Sequence, residues 1–186
     1  MIISVINKKG GVGKTPISFS LAKDLGYELQ SNDNSVIETI YPGKARIGRP
    51  ILQDDCVYDF GGFVDSGVLD IIKASNAVIV PCSVDYNALM RTVETIEEII
   101  AVNFNIIVVI TKTEKESDFE TFRDEISSFF EELYFLELRN SKIFKNSMET
   151  GKTVTQLYFE TPLSKSAYRT VYQQYQSLIE LFHSDK

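Results

Sequence analysis

The sequence predicts an α/β fold, a mostly parallel central sheet with helices on both faces. Three observations carry that expectation. Short β-branched apolar runs alternate along the chain with segments of helical hydrophobic period. The first run, Met1 to Ile6, passes straight into a glycine-rich loop that opens a helix. A later run, Cys56 to Asp59, ends in an acid followed by glycines, placing polar chemistry at the carboxyl edge of the sheet, where α/β folds bind ligands.

The loop reads Lys9-Gly10-Gly11-Val12-Gly13-Lys14-Thr15. Its glycines allow a tight turn that aims successive N–H groups at an anion, and the following helix points its positive dipole end at the same place. Lys14 supplies a point charge for β- and γ-phosphates, and Thr15 a hydroxyl for Mg²⁺. The usual pattern has glycine six residues before the lysine; here that position is Lys8, and a second lysine, Lys9, stands five residues before Lys14. A plain glycine turn would have to match this whole spacing by chance.

The variant resembles the deviant Walker A motif of the ParA/MinD superfamily. That resemblance implies a P-loop NTPase fold, ATP and ADP as ligands with Mg²⁺, and a signature lysine, Lys9, reaching across a nucleotide-sandwich homodimer to the partner's phosphates. Nucleotide contacts then fall to Lys9, Gly10, Gly11, Val12, Gly13, Lys14, Thr15 and Pro16, with catalytic roles for Lys9 and Lys14. Pro16 departs from the family, which usually has Thr or Ser there. Proline fits a first helical turn but removes an amide that could serve the α-phosphate.

With 44% hydrophobic and 24% charged residues, the 186-residue chain has an ordinary globular composition, and a single ParA-like P-loop ATPase domain over residues 1–186 is expected. No stretch approaches 18 uninterrupted apolar residues, and the first apolar run is too short for a signal peptide, so a cytoplasmic protein is expected. Cys56 and Cys82 lie in apolar strand-like runs without metal-ligand spacing and read as small buried residues. The net charge of -7 gives no global attraction to nucleic acid or an anionic membrane.

After the loop, Ile17, Leu21, Ala22 and Leu25 recur at helical spacing and Gly26 stands at the C-cap. A second strand spans Tyr27 to Gln30. Ser31-Asn32-Asp33-Asn34-Ser35 follows where the superfamily has its switch I segment, which aligns Asp33 with a catalytic aspartate that positions the attacking water. Asn-Asp-Asn is equally a turn sequence, and both readings stand. Val36 to Ile51, with Pro42, Gly43, Gly48 and Pro50, reads as a mobile loop with one short extended piece.

Cys56-Val57-Tyr58-Asp59 followed by Gly61-Gly62 resembles the Walker B strand and switch II. Asp59 would then hold the metal shell through water beside Thr15, and Gly61 would let backbone approach the γ-phosphate. A short helix around Val68 to Ile72, a strand over Ala77 to Pro81 and a helix with Leu89, Val93, Ile96 and Ile100 on one face come next.

Asn105 to Ile110 reads as a strand ending in Thr111-Lys112. By resemblance that pair is a base-site candidate; an exposed loop pair is the other reading. Ser117-x-x-Glu120 forms a capping box for a helix with Phe119, Phe122, Ile126, Phe129 and Leu133 on its core face. Tyr134 to Leu138 is the last strand. A short helix over Lys142 to Thr150 follows, and Thr161-Pro162 caps a final helix with Leu163, Ala167, Val171, Leu178 and Phe182 inward. His183, the only histidine, sits at the chain's frayed end, which argues against histidine catalysis.

The resemblance is greatest to small ParA-type partition ATPases. It implies plasmid or chromosome partition, non-specific DNA binding, slow hydrolysis, and stimulation by a ParB-like or small centromere-binding adaptor, with the protein nucleoid-associated if DNA is bound. The candidate DNA contacts are Lys142, Lys145, Lys152, Lys165 and Arg169, which could meet a phosphate backbone or simply form a solvated face. Three other functions were weighed. A MinD-like positioning ATPase would need a basic amphipathic tail, and the acidic Leu178 to Lys186 segment argues against membrane contact. A dethiobiotin-synthetase type ligase leaves Lys9 unexplained. A weakly hydrolysing nucleotide-dependent scaffold is kept open by Pro16 and the altered switch I.

Overall fold

The computed structural model describes residues 1–61 and 66–183. Its centre is β1 (Ile2–Ile6), buried along its whole length. Ile3 and Val5 point into one hydrophobic layer, Ile2 and Ile6 into the other, so both faces of the sheet must be covered. From β1 the chain enters α1 (Lys14–Leu25), which crosses to β2 (Glu28–Ser31). Gly26 ends α1 at φ 77, as its position suggested, and the Tyr27 amide returns to the Ala22 carbonyl at 2.8 Å.

The segment read as a loop holds more structure than expected. It contains the helical turn α2 (Ile37–Ile40), which was not expected, besides the edge strand β3 (Ala45–Ile47), the short extended piece that was. Ile37 is fully buried in the core and Tyr41 donates its hydroxyl to the Tyr27 carbonyl at 3.0 Å, contacts too isolated to give a periodic signal.

Next come β4 (Cys56–Phe60), α3 (Ser66–Ala74), β5 (Ala77–Ser83) and α4 (Tyr86–Ile99). Cys56 and Cys82 are free and buried, as expected. The sixth strand, β6 (Ile106–Thr113), runs past its expected end, so Thr111 and Lys112 belong to the strand rather than to a loop. In α5 (Glu116–Ser127) the expected capping box does not form: Asp118 Oδ2 accepts from the Glu114 and Lys115 amides, each at 2.9 Å, and starts the helix one residue before Ser117. Phe129 lies beyond its end and is exposed, while Ile126 is buried.

β7 (Tyr134–Arg139) leads into α6 (Lys142–Thr150), as expected. The sequence reading missed α7 (Val154–Phe159), whose Thr153 caps the Gln156 amide. The final helix is two: α8 (Pro162–Ala167), capped by Thr161 with Pro162 in its first turn, and α9 (Arg169–Glu180). They break at Tyr168, which has φ -111 and ψ 8 and receives a hydrogen bond on its hydroxyl from Asn146. The break turns Leu163 outward, 78% exposed, and leaves Ala167 exposed, contrary to expectation. Val171, Leu178 and Phe182 pack inward with Tyr175.

Among the described residues the sheet has seven strands in the order β3-β2-β4-β1-β5-β6-β7, every pairing parallel. Residues from α1, α6, α7 and α9 join one core layer, and those from α3, α4 and α5 the other. Strand order reverses beside β1, and the glycine loop stands at that switch point, where an α/β sheet opens a crevice. None of the described helices is long and apolar enough to cross a membrane.

Candidate functional site

The loop between β1 and α1 takes its shape from residues that only glycine replaces without strain: Gly11 has φ 78, and Gly13, at the N-cap of α1, has φ 98. Its carbonyls are held from outside. Thr111 Oγ1 donates to the Val12 carbonyl at 2.9 Å, Lys112 Nζ to the Gly11 carbonyl at 2.8 Å, and Lys14 Nζ to the Lys9 carbonyl at 2.9 Å. Lys112 reaches the loop because β6 is irregular against β7 between Thr111 and Thr113, and its own φ is 61. The pair read as base-site candidates thus braces the phosphate loop while still lining its cavity.

Thr15 and Asp59 meet as expected. The threonine hydroxyl donates to Asp59 Oδ2 at 2.8 Å, with the Ser31 hydroxyl at 3.4 Å from the same oxygen and Ser18 Oγ at 3.5 Å from Oδ1. Burial pushes the Asp59 carboxyl up to about 6, against the Thr15 hydrogen bond and the Lys14 charge; nearby Asp33 adds to the rise. Burial likewise lowers Lys14, which the charges of Asp59 and Asp33 oppose.

Asp33 is exposed on the cavity wall and shapes its own turn, its amide donating to Ser31 Oγ at 3.1 Å and its Oδ1 accepting from the Asn34 amide at 2.9 Å. Gly61 donates its amide to Asn32 Oδ1 at 2.7 Å, joining the two switch-like segments through a residue the sequence reading did not single out. Gly62 lies outside the described residues.

The cavity over the loop has a volume of about 870 Å³. Gly10 to Ile17 form its floor, Val36, Thr39 and Ile40 one wall, and Leu138, Phe144 and Met148 an apolar wall. This polar floor beneath apolar walls suits a phosphate chain with a flat base. Phe144 and Met148 were not anticipated; their only sequence signal was an amphipathic α6.

Lys9 is half-buried, and its charge acts on Asp85. Burial pushes the Asp85 carboxyl up, but the Ser83 hydroxyl, the Ala88 amide and the charges of Lys9 and Lys112 together hold it below its usual value.

The candidate DNA contacts differ in the partners they already have. Lys145 lines the cavity and pairs with Glu149 at 3.5 Å, Lys152 pairs with Glu160, and Lys165 lies 4.8 Å above the Phe159 ring. Lys142 and Arg169 are exposed, with no ion pair among the described residues. Lys165 and Arg169 lie on α8 and α9, either side of the break.

No family model and no curated protein sequence matches this chain. Solved structures do. A plasmid partition protein from Borrelia burgdorferi B31 bound to AMPPNP superposes with a TM-score of 0.67 at 13% identity, covering 97% of each chain. MinD from Aquifex aeolicus gives 0.66 at 10% identity over 96% of each.

The fold is that of the ParA/MinD ATPases.

A Cyanothece McdA variant in complex with ATP is similar over 100% of this chain and 97% of its own, with a TM-score of 0.65 at 13% identity.

Proposed function

We propose that this chain is an ATPase that dimerises on ATP, acting in plasmid or chromosome partition. The observation that carries the reading is a complete deviant phosphate loop, with Thr15 hydrogen-bonded to Asp59 and a second lysine at its start, beneath a cavity large enough for a nucleotide.

In this reading the inward amides of the loop and Lys14 bind the β- and γ-phosphates, the ammonium moving from the Lys9 carbonyl to the phosphate. Thr15 and Asp59 are hard oxygen donors that suit Mg²⁺, and a dication would offset the penalty that burial places on the Asp59 charge. An Mg²⁺ ion held by Thr15 and, through water, Asp59 would supply positive charge against that developing on the phosphates. Asp33 orients water from the cavity wall. His183 is exposed beyond α9, far along the chain from this machinery. Hydrolysis is therefore slow, below about 1 per second, until a ParB-like or small centromere-binding adaptor completes the site.

Lys9 acts on the partner's phosphates, and Lys142 with Arg169 offers DNA a few contacts per subunit that dimerisation doubles. A weakly hydrolysing scaffold is the second reading, favoured by Pro16, which gives the cavity no amide. The test is light scattering with each nucleotide. ATP, and not ADP, converts the protein to a dimer, and Lys9→Ala stays monomeric while keeping its ADP affinity. A variant that dimerises like the parent removes Lys9 from the interface.

A further inference from the structure

We propose that Asn7 is a positioning residue for Lys9, clamping the lysine's peptide to α4 so that the side chain is directed out of its own subunit. The inference rests on the sandwich-dimer reading above.

Lys9 is followed by Gly10 and Gly11, which place little restraint on its direction, and its own nucleotide cannot orient a side chain meant for another subunit. The Lys14 ammonium on the Lys9 carbonyl is drawn off by a phosphate in that reading, so a hold on Lys9 that outlasts nucleotide binding comes from the residues before it. Asn7 is fully buried and uses both ends of its amide. Nδ2 donates to the Pro81 carbonyl at 2.8 Å and to Thr92 Oγ1 at 2.7 Å, while Oδ1 accepts from the Lys9 amide at 2.7 Å. One side chain thus ties β5, α4 and the Lys9 peptide together.

The neighbouring residue repeats the attachment. The Lys8 amide donates to Thr95 Oγ1 at 3.1 Å, that hydroxyl donates to the Arg91 carbonyl at 2.6 Å, and the Lys8 ammonium pairs with Glu98. Thr92 and Thr95 are fully buried polar residues on α4, and these bonds occupy their hydroxyls. The same helix carries Asp85 at its N-cap, whose carboxylate faces the Lys9 charge. Only a short side chain with two donors and an acceptor fits the Asn7 position: aspartate would set a carboxylate against the Pro81 carbonyl, and leucine would orphan all three partners. Pre-organisation of this kind lowers the ordering cost of a contact made across an interface.

The test uses Asn7→Ala and, as a milder change that keeps volume, Thr92→Val, each also combined with Lys9→Ala. In both single variants ADP affinity stays within about threefold of the parent, while the protein concentration needed for ATP-driven dimerisation rises at least about tenfold. On the Lys9→Ala background, which no longer dimerises, neither changes ADP affinity by more than about threefold. Hydrogen exchange of the Lys9 amide, protected in the parent, becomes fast in Asn7→Ala. Equal losses for ADP and ATP would make Asn7 a support of the loop alone, and a further loss of ADP affinity on the Lys9→Ala background would mean it acts through something else. Either result overturns the proposal. If the parent stays monomeric with ATP, the dimer reading falls and takes this one with it. If the parent dimerises, Lys9→Ala does not, and both clamp variants do, only the role of Asn7 falls.

Discussion

Asp59→Asn should stabilise the nucleotide-free protein, because in the empty site the charge on Asp59 is a burden. Its carboxyl is raised from 3.8 to about 6, chiefly by burial. A group raised on folding favours the folded state while protonated in both states, and loses that contribution as pH climbs through the folded value. The penalty is therefore absent below about pH 4, grows between pH 4 and 6, and is complete above it. Two pKa units correspond to about 3 kcal/mol, an upper figure because relaxation around the site reduces it. Asparagine keeps an acceptor for Thr15 and removes the charge. Urea unfolding of parent and variant without nucleotide, across pH 4 to 8, should show a difference near zero at the acid end and about 2–3 kcal/mol in the variant's favour at pH 7.5, or about 4–12 °C in melting temperature for a chain of this size. The variant should also lose the tightening of ATP binding by Mg²⁺. A variant equally or less stable than the parent at pH 7.5 would show that Asp59 is not under strain in the empty site.

Lys14→Ala should lower ATP and ADP affinity at least about a hundredfold while preserving the fold, read by nucleotide titration with circular dichroism as control; the estimate follows from removing a charge-assisted phosphate contact. Gly151→Ala should cost about 1–3 kcal/mol in denaturant unfolding, because the residue has φ 67 and an added Cβ would stand 3.2 Å from the Ile40 Cβ and carbonyl oxygen. Lys142→Glu with Arg169→Glu should abolish ATP-dependent retention of DNA and leave dimerisation intact, whereas parent-like retention at moderate salt would move the DNA surface elsewhere.

The sheet and phosphate loop were legible because β1, β4, β5 and β6 are continuous apolar runs and because few sequences combine Lys9, the glycines, Lys14 and Thr15 at one spacing. Elements held by single tertiary contacts were not. α2 rests on one buried isoleucine, and the break at Tyr168 has no proline or glycine to announce it. In the site, residues acting through their own side chains were visible, whereas Asn32, Phe144 and Met148 matter only through what folding brings beside them. Thr111 and Lys112 were singled out for their place along the chain, but their bonds to the loop's carbonyls depend on the irregularity in β6, which no residue type announces.

The peptide of Lys9 is held at both ends in the empty protein, its N–H by Asn7 and its carbonyl by the ammonium of Lys14. A phosphate arriving in the cavity competes for that ammonium, so filling the subunit's own site undoes one of the two tethers and leaves the other. If Lys9 serves the partner's phosphates as proposed, it would therefore sense whether its own subunit is loaded. Such a coupling would set an order of events: a vacant subunit would keep its lysine reined in, and a loaded one would offer it with a single restraint, so that two loaded subunits would meet on equal terms.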